Sequence, residues 1–186
     1  MNGQHILLLN EFREKAESLG VLVVSADSLM VAARAIAVWA SEIDAAVAVV
    51  SSEIFAAAPE LVSELESAGV RVEKPGAPDM VRDAPLGVSL AHMGVAETGS
   101  MLLAETTLAD RSIGMLSLAQ VILCPVSGLV PSLDEAAAAM RDLALAPGGS
   151  FATLVTGPSR TADIERVLTV GVQGPGKLMA LFVDGV

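Results

Sequence analysis

A chain of 186 residues, 53% of them hydrophobic, can bury a core without help from disulfides or metals; at this size roughly 70% of the extended surface is removed from water on folding. A formal net charge of −11 argues against nucleic acid and against anionic membrane surfaces, both of which select basic proteins. The start of the chain lacks a basic segment, Ile6-Leu7-Leu8-Leu9 is too short for a signal core, and no apolar run approaches the ~20 residues that span a bilayer, so a cytoplasmic protein is expected.

In chain order, Glu11 to Leu19 reads as a helix stopped by Gly20, and Val21-Leu22-Val23-Val24 as a short strand. Ser25 to Ser28 offers helix-start residues for a helix from Leu29 to Ser41. Ala45 to Val50 is a second apolar strand. Ser51 or Ser52 can cap the following helix, which runs to about Ala68 with a break at Pro59, and Val70 to Val72 begins a third strand. Continuous apolar strands separated by helices predict a parallel sheet covered on both faces. Lys74 to Pro85 reads as a loop. The runs Leu86 to Ala96 and Met101 to Glu105 are too close for a crossover helix and predict an antiparallel hairpin. Leu108 to Gly114 reads as a polar loop, and Ala119 to Leu123 as a buried strand. Ser132-Leu133-Asp134-Glu135 is a capping box opening a helix to about Leu145, ended by Pro147-Gly148-Gly149. Phe151 to Val155 and Leu178 to Val183 read as strands. The sum is a three-layer α/β/α sandwich with a mixed, mainly parallel sheet.

Three stretches carry candidate chemistry. Thr156-Gly157-Pro158-Ser159-Arg160-Thr161-Ala162-Asp163-Ile164-Glu165 follows a strand and precedes a helical pattern over Ala162 to Leu168. Such a turn gathers backbone N–H groups and the positive end of a helix dipole. Gly157 permits close approach, Ser159 and Thr161 can cap or donate, Arg160 supplies a bidentate cation, and Asp163 can orient it. The stretch fits either a small carboxylate or phosphate, or a well-capped structural turn. Glu97-Thr98-Gly99-Ser100 joins the two runs of the hairpin: either an exposed turn or a site where Glu97 acts as base or nucleophile. Asp110-Arg111 offers either a second cation, Arg111, or an ion pair that ties down its loop. Ligands of open α/β sheets bind at the carboxyl ends of strands, where these groups are expected to meet. The single cysteine, Cys124, reads as a buried strand-end residue. His92 reads as a hydrogen-bonded core residue, and His5 as incidental. With one cysteine and no ligand spacing, no metal or cofactor is expected on this chain.

The order and spacing of Gly94-Val95-Ala96-Glu97-Thr98-Gly99-Ser100, the TGPSRTADIE stretch and Gly171-Val172-Gln173-Gly174-Pro175 resemble the LUD domain of the lactate-utilisation protein C family, from about Phe12 onward. The resemblance implies one LUD domain over residues 1–186 and the CoA-transferase-like superfamily, which also houses ribose-phosphate isomerases and formyltetrahydrofolate cyclo-ligases. It implies a component of a lactate utilisation system, the oxidation of lactate to pyruvate, with iron–sulfur clusters carried only by a partner subunit. This chain would bind a small anionic ligand or dock that partner. The ligand-binding residues that lie on the resembling motifs are Thr98, Gly99, Ser100, Thr156, Gly157, Ser159, Arg160, Thr161, Asp163 and Gly174, and Arg111 joins them as a candidate read from its charge alone. The alternative is a stand-alone CoA-transferase-like or cyclo-ligase-like enzyme using Glu97. One departure stands out: where the family usually has Gly-x-His-Gly-Pro, this chain has Gln173 in place of the histidine, which removes a titrating imidazole.

Overall fold

A computed structural model of the chain describes residues 3–145, 151–161, 169–171 and 173–184. Helix α1 (Gly3–Ser18) leads into β1 (Val21–Ala26), then α2 (Leu29–Glu42), β2 (Val47–Val50), α3 (Ser52–Ala57), α4 (Pro59–Ser67), β3 (Arg71–Glu73) and the short α5 (Pro78–Val81). The middle comprises β4 (Leu86–Leu90), β5 (Met93–Val95), β6 (Ser100–Glu105), α6 (Leu108–Leu116), β7 (Ala119–Pro125), β8 (Leu129–Val130) and α7 (Leu133–Leu145). The final elements are β9 (Phe151–Val155), β10 (Arg160–Thr161), β11 (Thr169–Val170) and β12 (Lys177–Val183).

The main sheet is six-stranded, in the order β1-β12-β7-β4-β2-β3, and every neighbouring pair in it is parallel. Strand alternation divides its side chains between two faces. Ala48, Val50, Leu86, Val88, Val121, Leu123, Met179 and Leu181 point one way, onto α2, α3 and α4, through Ile36, Trp39, Ile54, Leu61 and Leu65. Val21, Val23, Ile122, Cys124, Ala180 and Phe182 point the other way, onto α1 and a second sheet. Phe12 of α1 meets Phe182 edge to face at 4.8 Å and 79°, a geometry worth about 0.5–1.5 kcal/mol beyond the area it buries. The second sheet runs β8-β5-β6-β9, with β5–β6 and β6–β9 antiparallel. The architecture is therefore three-layer α/β/α with a mainly parallel sheet. Two of the antiparallel pairs lie in this four-stranded sheet, which shares one outer layer with α1 and α6, and the third is the separate two-stranded β10–β11.

Several boundaries depart from the sequence-based expectation. Helix α1 begins at Gly3, eight positions before Glu11: its first turns expose Ile6 and Leu7 and so lack the apolar face that marks a helix. The run Leu86 to Ala96 is two strands, because the chain leaves the main sheet at Ala91 and His92 to enter the smaller one. The stretch Lys74 to Pro85 contains α5. Leu108 to Gly114 is helical, not loop: Thr107 caps α6, its hydroxyl accepting from the Asp110 N–H at 3.0 Å. His92 is exposed rather than in the core; the chain holds that bend through its backbone, the His92 N–H donating to the Leu102 carbonyl at 2.8 Å. Cys124 is fully buried at the end of β7, and burial pushes its thiol up to about 12. The breaker Pro147-Gly148-Gly149 and the helical pattern over Ala162 to Leu168 lie outside the described residues. No helix among the described residues is long and apolar enough to cross a membrane.

Candidate functional site

The antiparallel register of β6 and β9 sets Met101 opposite Val155, which brings Ser100 beside Thr156 across 56 residues of sequence. Their hydroxyls are 2.7 Å apart, and Thr98 donates to Ser100 at 2.8 Å. Ser100 is 3% exposed, while Thr156 reaches the surface. A chain of three hydroxyls thus links the first motif to the second. Because each hydroxyl is both donor and acceptor, the row can reorient to suit a bound oxygen.

The second motif is in turn joined to the third. The Ser159 N–H donates to the Pro175 carbonyl at 2.9 Å, and the Ser159 hydroxyl donates to the Gln173 carbonyl at 2.7 Å. Gly171 N–H donates back to the Ser159 carbonyl at 2.9 Å. Gly174, at φ +112°, lets the loops close: a Cβ there would stand 3.3 Å from the Gly114 carbonyl oxygen and 3.4 Å from the Ser159 Cβ. Between the loops lies a concavity of about 210 Å3 whose lining includes Gln120, Thr156, Gly157, Ser159, Gln173 and Gly174. Gln120, which sequence reasoning did not single out, is held there by donating to the Ser89 hydroxyl at 3.0 Å. The Gln173 group that organises the site is its backbone carbonyl. That bond is therefore independent of which side chain position 173 carries.

The remaining candidates are engaged elsewhere. The Arg160 guanidinium donates to the Leu19 carbonyl at the end of α1, where a cation complements the helix dipole. It is not part of the concavity's lining. Thr161 lies in β10, paired antiparallel with β11. Asp163 lies outside the described residues. Arg111 sits over the Phe151 ring at 3.5 Å, at the end of β9 opposite Thr156. The expected Asp110–Arg111 pair is replaced: buried Asp110 accepts from the Ser52 N–H at 2.7 Å and the Thr107 hydroxyl at 2.6 Å. Glu97 is exposed, and its Oε2 accepts from the Leu133 N–H at 3.0 Å, capping α7 together with Ser132 and Glu135. Gly99, at φ +65°, packs on helix α1, where an added Cβ would stand 2.7 Å from the Ala16 nitrogen. Among the described residues no three His, Cys, Asp or Glu side chains gather to hold a metal ion.

The joined loops lie at the amino edge of the parallel sheet, not at the expected carboxyl edge. Gln120 and Leu178, both in the lining, stand at the starts of β7 and β12, and Gly157 packs beside Leu19 and Val21 at the start of β1. The reason is β9: it belongs to the smaller sheet, so its carboxyl end carries the motif to the opposite rim.

Comparison with known proteins identifies the family. The LUD domain family model matches residues 9–183. Lactate utilization protein C of Bacillus licheniformis is 35% identical over 104 residues, which are 54% of this chain and 43% of that protein. The protein of the same description from Bacillus subtilis is 33% identical over 104 residues, 54% of this chain and 43% of its own length. That from Geobacillus kaustophilus is 33% identical over 108 residues, 56% and 45%. Each match takes in less than half of the curated relative. The crystal structure of a duf162 family protein from Deinococcus radiodurans superimposes with a TM-score of 0.68 at 18% identity, over 96% of this chain and 98% of that one, a likeness of fold. With the family model spanning nearly the whole sequence, the chain belongs to the LUD domain family.

Proposed function

We propose that this chain is a component of lactate utilisation that binds a small carboxylate, lactate or its oxidation product, in the concavity between the joined motif loops, and that iron–sulfur redox chemistry resides on a partner subunit. The observation that carries the reading is the Thr98–Ser100–Thr156 hydroxyl row, which ends at a concavity of about 210 Å3 bounded by the other two motifs. The relatives described as lactate utilization protein C supply the physiological context. Hydroxyl donors and the main chain of tight glycine turns recognise a carboxylate without needing a buried cation. Arg160, committed to the Leu19 carbonyl, has a supporting part: it holds the loop against α1.

The reading is tested in the native cell. Deletion of the gene should abolish growth on lactate as sole carbon source but not on glucose. Complementation should succeed with the wild type and fail with Ser100→Ala/Thr156→Val. Anaerobic affinity purification should retain an iron–sulfur subunit. Normal growth of the deletion strain, with no iron–sulfur protein recovered, would sink the proposal. The alternative, a stand-alone acyl-CoA enzyme with Glu97 as nucleophile, has geometry against it, since the Glu97 carboxylate is occupied at the start of α7. Borohydride trapping of a modified Glu97 would reinstate it.

A further inference from the structure

The two edges of the main sheet are finished differently. At one, β3 is three residues long and carries Arg71 and Glu73, paired at 3.1 Å. Short, charged edge strands resist pairing with another chain. At the other, β1 runs for six residues, Val21 to Ala26, with neither a charge nor a proline. Among the described residues its one strand neighbour is β12, so its outer backbone groups meet no further strand.

Helix α2 continues this open edge. It packs on both β1 and β12, and Val31, Arg34, Ala35, Val38 and Glu42 follow the i, i+3, i+4 spacing of a single helix face beside β1. Apolar side chains of a surface helix normally turn inward. Here Val31 is 41% and Val38 60% exposed, and Leu22 of β1 beside them is 43% exposed. Helix and strand border an apolar groove of about 400 Å3, with Trp39 and Met179 also in its lining.

The groove's lining holds two charges, Arg34 and Glu42. Arg34 reaches the Met30 sulfur at 3.7 Å, and neither charge has an ion-pair partner among the described residues. They do not reach each other, being about 12 Å apart along the helix. Val38 lies midway between them in sequence. A two-fold axis at Val38, with two copies of α2 antiparallel, sets Arg34 of each copy opposite Glu42 of the other. The face is thus its own complement, as a two-fold interface requires. It is also locally neutral on a chain of net charge −11, so the repulsion opposing self-association is least there.

The same axis suits the sheet, because α2 runs back along β1 and an antiparallel helix pair brings antiparallel β1 strands with it. Paired strands stand about 4.8 Å apart, and α2 straddles β1 and β12, which sets the two helices about 10 Å apart, within reach of helix packing. We propose that a second copy of this chain covers this face: the two β1 strands pair into one continuous sheet, Leu22 and Val38 of each copy fill the groove of the other, and two Arg34–Glu42 ion pairs cross the interface.

The test is the mass of the full chain by sedimentation equilibrium, from about 1 to 100 µM at about 0.05 M salt, where charge pairs are weakly screened. Twice the 19.0 kDa chain mass is expected at the upper end. Arg34→Glu and Glu42→Arg each set like charges opposite one another at both crossings and should each weaken the dimer at least about tenfold. The double reversal keeps the net charge, restores the pairing, and should return the Kd to within about threefold of the wild type. Leu22→Lys should leave a monomer; Leu22 is exposed in the single chain, and thermal melts verify that the variant folds. A wild-type chain that stays monomeric, a dimer indifferent to the single reversals or to Leu22→Lys, or a double reversal no tighter than the singles would overturn the proposal.

Discussion

Replacing Gly99 by alanine asks whether the turn of the first motif is dictated by helix α1. Gly99 adopts φ +65°, and an added Cβ would lie 2.7 Å from the Ala16 nitrogen, 3.0 Å from the Lys15 Cβ and 3.1 Å from the Ala16 Cα. Two of these are backbone atoms of a helix anchored by buried Phe12 and Ala16, so they cannot rotate aside as a flexible side-chain end would. The left-handed conformation costs an L-residue about 1–2 kcal/mol, and forcing atoms into a packed contact about 1–3 kcal/mol more. Together these give about 2–5 kcal/mol. Gly69 supplies the control: it has φ +89° but nothing within 4 Å of its would-be Cβ, so Gly69→Ala should cost only the conformational part, about 1–2 kcal/mol. Urea unfolding followed by the fluorescence of Trp39, the chain's one tryptophan and 7% exposed, measures both. Equal destabilisation by the two substitutions would refute the argument, since it would show that α1 yields to the new methyl group without resistance.

Three further outcomes are expected. Asp110→Ala removes the acceptor shared by the Ser52 N–H and the Thr107 hydroxyl and should destabilise by about 2–4 kcal/mol in the same urea assay. Burial, then the charges of Glu53 and Asp110, let Glu105 hold its proton up to about 7 in the folded chain against 4.5 as its ordinary value, so the native state binds the extra proton between those values. Stability should therefore fall as pH rises through that window, by up to about 3 kcal/mol, and Glu105→Gln should remove this part of the slope, leaving the smaller part contributed by Glu53, whose carboxyl burial also raises, when unfolding is compared at several pH values. Cys124, buried and with its thiol pushed up to about 12, should resist iodoacetamide in the native protein and react at a rate that tracks urea-induced unfolding.

Most of the parallel layer was legible because each strand is short, apolar and followed by a breaker or cap, as with Ser28, whose hydroxyl accepts from the Val31 N–H at the start of α2. What escaped was non-local. Nothing in Phe151 to Val155 says that the strand pairs with β6 in a separate sheet, and that pairing alone decides which rim the second motif reaches. The role of Arg160 was hidden for the same reason, since its partner Leu19 lies far away in sequence. Helix α6 had a local signal that was passed over: Thr107-Leu108-Ala109-Asp110 places a cap three residues before a carboxylate, and buried Ile113 marks the inner face. Glu97 looked free because the N–H it receives belongs to a helix that begins at Leu133. Among the candidate residues, Thr156, Gly157, Ser159 and Gly174 converge, with Ser100 and Thr98 behind Thr156, whereas Gly99 packs on α1, Thr161 lies in β10, and Glu97, Arg160 and Arg111 are engaged by α7, the end of α1 and the Phe151 ring.

The sheet order also constrains how the chain comes off the ribosome. Strand β12 sits between β1 and β7, hydrogen-bonded to both, although β1 is made long before it. Until Lys177–Val183 emerges, β1 has no neighbour in the sheet, and β7 presents an unpaired apolar edge. At about 5–20 residues per second that state lasts for seconds, long enough for a strand-edge collision with another nascent chain. A chain arrested before Lys177 should accordingly need a chaperone to stay dispersed, and release of the arrest should let the sheet close in one late step.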